Sequence, residues 1–82
     1  MGIEYEKRRA RLTDFVSVED AEGLLAWLQA HPKGTVDLHA CTHLHAANLQ
    51  VLMVAKPTVS AWPQDASLAD WLRDAMNKPQ GV

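Results

Sequence analysis

The sequence predicts an α/β fold, a small mainly parallel or mixed sheet with covering helices, and two observations carry that prediction. Stretches of strand-like alternation and stretches of helical periodicity follow one another in the order strand, helix, strand, helix, strand, helix. Proline and glycine mark the joints at Pro32, Gly34, Pro57 and Pro63. Strand, helix, strand units of this kind use right-handed crossovers, which lay their helices against the sheet.

Bulk composition limits what such a chain can do. Its 82 residues are 48% hydrophobic and 22% charged, with four Pro and four Gly. One small globular domain of this size buries about 60 to 65 per cent of the surface its unfolded chain exposes, and there is no room for a second core. The expected limits are an N-terminal extension over 1–10, one domain over 11–76 and a flexible tail over 77–82. A formal net charge of −2 offers no broad attraction to nucleic acid or to an anionic membrane. The basic cluster Lys7, Arg8, Arg9 and Arg11 is flanked by Glu4, Glu6 and Asp14 and reads as a solvated face or a frayed terminus. A single cysteine allows no internal disulfide, and "MGIEYEKRRARL" has no apolar signal region, so a cytoplasmic location is expected. The longest mainly apolar run, Ala46 to Ala55, falls far short of the about 20 residues a membrane span needs.

Each element has its own justification. "RLTDFV" places Leu12 and Val16 at even positions, which predicts a short strand over 11–16, although Phe15 breaks the alternation. Ser17 and Asp20 then form a capping-box pattern that starts a helix. Ala21, Leu24, Leu25 and Leu28 are its apolar stripe, with Trp27 at the margin, and Pro32 ends it near His31. In "TVDLHA", Val36 and Leu38 share one strand face while Thr35, Asp37 and His39 share the other. From about Leu44 to Ala55 the chain is apolar on nearly every side, as in a helix packed deeply against a sheet. "TVSAW" is the last strand, and Ser67 with Asp70 forms a second capping-box pattern. The helix that follows carries the stripe Leu68, Trp71, Leu72, Ala75 and Met76.

The segment "TVDLHACTHLHAANLQVLMVAKP" resembles the centre of the STAS domains, the sulfate-transporter and anti-sigma-factor-antagonist family. There a strand ending Asp-Leu runs through a loop ending Asp-Ser or Asp-Thr into a helix that begins Gly-Leu or Ala-Leu and continues Gln-Val-Leu. Asp37-Leu38 match the strand end, His45-Ala46 the loop end, and Leu49-Gln50-Val51-Leu52 the helix. "FVSVEDAEGLLAWLQ" and "SLADWLRDAM" resemble the preceding strand and helix and the helix after the last strand. The resemblance implies a minimal STAS-like fold without the first N-terminal strand or strands and without a final helix.

In that family the Ser or Thr at the helix start accepts phosphate from a kinase that is also an anti-sigma factor, adding about −1.5 to −2 charge. Here the hydroxyl position is Ala46, and the Asp beside it is His45. The resemblance therefore implies a non-enzymatic signal-transduction module of bacterial type that is not phosphorylated at the usual position. It would dock a regulatory protein, such as an anti-sigma factor or a kinase-like protein, through His43, His45, Ala46 and Asn48. No cofactor is implied, and a homodimer could form at the sheet edge that the missing strand leaves open.

His39, Cys41, His43 and His45 support a competing expectation, a small metal- or redox-responsive binding protein. Imidazole and thiolate are preferred ligands of zinc and related ions. Locally built zinc sites, however, usually bring ligand pairs from two separated elements. Each of the four also has a plain structural role: a polar strand end, a small buried residue, a loop residue and a helix cap. No oxyanion-hole or Gly-rich phosphate motif accompanies Cys41, so no enzymatic activity is expected. Trp27, Trp62 and Trp71 read as core or core margin, with Trp62 a contact for a partner if it lies exposed on an edge strand.

Overall fold

The computed structural model describes residues 2–77. Among these residues nine elements follow one another: β1 (Ile3–Tyr5), β2 (Arg9–Leu12), β3 (Asp14–Val16), α1 (Asp20–Ala30), β4 (Thr35–Asp37), β5 (Cys41–Leu44), α2 (Ala46–Ala55), β6 (Thr58–Ala61) and α3 (Ala66–Asn77). Four strands form one sheet in the order β1-β2-β4-β6, antiparallel at β1-β2 and parallel elsewhere. β3 and β5 form a separate parallel pair. The α/β class with a mixed sheet is thus as the sequence predicts.

Alternation sorts the sheet into two unlike faces. Ala10 and Leu12 of β2, Val36 of β4 and Leu38 just after it point inward and are fully buried against Leu24 and Leu28 of α1, Leu49 and Leu52 of α2, and Leu72 of α3. The outward rows are polar. Glu4, Arg11 and Asp37 are neighbours across β1, β2 and β4, and Arg9, Thr35 and Thr58 are neighbours across β2, β4 and β6. Both crossovers, β2 to β4 and β4 to β6, step in the same direction, so right-handed connections put α1 and α2 on one side. α1 packs on α2 and α2 on α3, which completes a single helical layer.

Several expectations are corrected. Residues 1–10, expected as an extension, hold β1 and the first residues of β2, and β1 covers the edge expected to stand open. β1 pairs with β2 and packs Ile3 against the core, while Glu6 holds Arg9 at 2.9 Å and Glu4 reaches Arg11 at 3.5 Å across the hairpin. The strand expected over 11–16 is broken between Leu12 and Asp14, where Asp14 takes φ 51°. The strand "TVDLHA" stops at Asp37, whose carboxylate accepts the His39 amide at 2.9 Å and turns the chain. Cys41 to Leu44 is then a second strand rather than a loop, and α2 begins at Ala46 rather than near Leu44. α2 is less enclosed than its composition suggests, because Val54 is 68% exposed.

Helix starts differ in detail as well. Only half of the first capping box forms: the Asp20 carboxylate accepts the Ser17 amide (3.0 Å) and hydroxyl (3.3 Å), while the N-cap itself is Glu19, without a side-chain bond. The third helix is capped by Asp65, which accepts the Leu68 amide at 3.1 Å, in place of Ser67. Of the tail expected over 77–82, Asn77 ends α3 and 78–82 lie outside the described residues. No helix among the described residues is long and apolar enough to cross a membrane.

The far end of α1 is closed by an aromatic stack. Trp27 lies against Tyr5 at 5.8 Å and His31 at 4.4 Å, and His31 Nδ1–H donates to the Trp27 carbonyl at 2.9 Å. Gly34 is buried beneath the indole, and a Cβ there would stand 2.7 Å from Cη2 of Trp27 and 3.1 Å from the His31 carbonyl oxygen. Gly34→Ala is therefore expected to destabilise the fold by about 1 to 3 kcal/mol, the cost of overpacking. Chemical denaturation with an unchanged m-value checks this.

Candidate functional site

The carboxyl ends of β3 and β5 lie side by side, and each feeds a helix. Ligand and partner sites in open α/β sheets gather at such ends. β3 leads through Ser17 to Glu19 into α1, and β5 leads through His45 into α2. The two connections are sewn together. His45 donates its amide to the Val16 carbonyl at 2.9 Å, and the Asn48 side-chain Nδ2 donates to the Ser17 carbonyl at 2.7 Å and to the Val16 carbonyl at 3.5 Å.

His45 is the N-cap of α2. Its backbone is extended (φ −65°, ψ 145°), and its Nδ1 accepts the Ala47 amide at 3.0 Å. Its carbonyl accepts the amides of Asn48 at 2.9 Å and Leu49 at 3.3 Å, which begins the helix. No acidic residue lies in the first turn, so the positive end of the helix dipole meets no carboxylate on α2 itself. Ala46 is exposed beside the cap and offers only a methyl group.

His43 points outward from β5 and stacks on Phe15 of β3, with ring centroids 4.9 Å apart and planes inclined by 26°. Phe15 remains 54% exposed. This ring is the functional candidate that motif reading missed, and its signal was its break in the alternation of "RLTDFV". Val18, also well exposed, extends the apolar rim on the neighbouring connection.

Of the four residues expected to face a partner, His43, His45 and Ala46 are exposed together on this rim. Asn48 is not among them: it is 0% exposed and acts as an internal strut, because its amide donors meet the two carbonyls that end β3. Its Oδ1 is buried with no protein partner.

The four candidate metal or redox residues are dispersed. Cys41 is 2% exposed and faces the core, its thiol donating to the His43 carbonyl at 3.5 Å. His39 is exposed at the turn after β4, His43 is stacked outward, and the Nδ1 of His45 is engaged as the cap. Nowhere among the described residues do three His, Cys, Asp or Glu side chains gather so that they could hold one ion. Trp62 is half-buried, with the Arg73 guanidinium 5.0 Å above its ring, and Trp71 is exposed on α3.

Burial pushes the Cys41 thiol up, the Asp14 charge adds to this, and the bond to the His43 carbonyl opposes it. The raised value means that ionising Cys41 costs more in the folded chain than in the unfolded one. Its stabilising contribution is complete below the ordinary thiol range and is lost as pH rises through the folded value. A thiol reagent at pH 7.5 should label the native protein at least tenfold more slowly than the denatured chain. Asn48→Ala should cost about 1 kcal/mol, the net worth of its hydrogen bond to Ser17, because the Val16 and Ser17 carbonyls keep the amides of His45 and Asp20, and urea unfolding measures that loss. No protein-family model and no curated protein matches this chain.

Proposed function

We propose that the chain is a non-enzymatic, STAS-like protein-interaction module, similar to anti-sigma-factor antagonists, that docks a regulatory protein through the rim of Phe15, His43, His45 and Ala46. The observation that carries the reading is the Phe15 ring, more than half exposed and stacked on His43. An apolar ring ordered before contact makes a good anchor, because little rotational freedom is left to lose on binding. It stands beside the helix start that the resemblance marks as the family's contact point, at the carboxyl ends of parallel strands.

Ala46 removes phosphoryl transfer from that position. The partner, an anti-sigma factor or kinase-like protein in a cytoplasmic signalling pathway, is then held by shape, by the aromatic anchor and by hydrogen bonds to the outer nitrogens of His43 and His45.

Affinity capture from native extract with the tagged chain, followed by titration of the captured protein, tests the reading. Phe15→Ala should weaken binding about thirtyfold, the scale of an anchor worth about 2 kcal/mol. Val54→Ser, at the opposite end of α2, should leave binding unchanged. Equal binding by wild type and Phe15→Ala would remove this rim as the docking surface.

A further inference from the structure

We infer that protonation of His45 uncaps the first turn of α2, so that the proposed docking rim responds to pH. The inference rests on the docking reading for its consequence, but its test needs no partner. The bond that starts α2 ends on an imidazole nitrogen, with the Ala47 N–H donating to His45 Nδ1 at 3.0 Å. That nitrogen accepts only while it carries no proton, because an imidazolium has two N–H donors and no acceptor. An Asp, Asn, Ser or Thr cap would keep the bond throughout the neutral range. Histidine is the side chain whose charge changes there.

The same proton brings positive charge to the positive end of the helix dipole. Nothing on α2 offsets it, since Ala46 to Ala55 includes no charged residue. The titratable groups on the elements packed around the cap are few. His43 on β5 is stacked on Phe15. Glu19 and Asp20 lie at the start of α1, and the Asp20 carboxylate is already engaged by Ser17. Asp14 stands at the far end of β3, opposite Cys41. None of these bonds to the His45 ring.

The release is local. The His45 amide stays on the Val16 carbonyl and the Asn48 side chain stays on the Ser17 carbonyl, so the chain is pinned on both sides of the freed amide. Only the turn of Ala46 and Ala47 loosens, and that turn is part of the rim.

The test is nuclear magnetic resonance on the whole ¹⁵N-labelled chain between pH 7.5 and 5.0. The ring nitrogens of His45 are followed together with hydrogen-exchange protection of the Ala47 amide, each rate referred to the unstructured-peptide rate at the same pH. Protection at Ala47 should fall about fivefold with the midpoint of the His45 ring, a change equivalent to about 1 kcal/mol of capping. Protection at Leu52 and Leu72, which report the global fold, should hold. His45→Asp should keep Ala47 protected down to pH 5.0, and His43→Gln should leave the transition in place. Protection that stays flat while His45 titrates, or that falls equally in His45→Asp, overturns the inference.

Discussion

One buried amide side chain sets the geometry on which the candidate site depends. Asn48 sits on the inner side of the first turn of α2 and reaches the carbonyls that end β3. Those carbonyls lie at the end of β3 and just beyond it, so this side chain, together with the His45 amide on Val16, fixes the start of one helix to the entry of the other. Buried carbonyls without a donor carry the full cost of desolvation, and a buried amide without an acceptor is no better off. The Asn48 donor meets the Val16 and Ser17 carbonyls, which also accept the amides of His45 and Asp20. Together these bonds hold the connections β3 to α1 and β5 to α2 side by side, and with them the rim that carries Phe15, His43 and His45.

The same constraint explains why the rim is both ordered and open. Beneath it, Val16 and Leu44 are buried and anchor the parallel pair β3-β5 in the core. Above it, their strand neighbours Phe15 and His43 must point away from the core and stack on each other. On the main sheet the outward rows are filled by Glu4, Arg11, Asp37, Arg9, Thr35 and Thr58, which water solvates readily. On β3-β5 the outward row is aromatic. An α/β layer with helices on one side thus has a polar open face and, at one end of it, a small apolar feature.

Much of this was legible in the sequence, and the parts that were not have physical reasons. Helical stripes such as Leu24 with Leu28, and Leu68 with Leu72, persist over several turns and locate α1 and α3. β5 gave no such sign, because in "CTHL" only the two end residues are buried and no period of two exists. β1 was hidden by its charge: Glu4 and Glu6 read as a solvated terminus, although Ile3 and Tyr5 between and beside them face the helical layer. His45 was foreseen as a residue able to cap, and it does so. Asn48 was placed on the rim by the family resemblance, which carries no information on its burial. Only the tertiary position of two strand-end carbonyls draws it inside.

Under the proposed STAS-like reading, positions 45 and 46 are where the control of this helix start would differ from the family's. A phosphate at the start of a helix brings negative charge to a positive dipole end and strengthens the first turn. A proton on His45 does the reverse, since it deletes the side-chain acceptor of the Ala47 amide and repels the dipole. With Ala46 lacking a hydroxyl, the first kind of control is absent from this position while the second is built into the cap. The place of control is the same turn of the same helix, and its sign is inverted: the ordered rim belongs to the uncharged state, and charging the site loosens it.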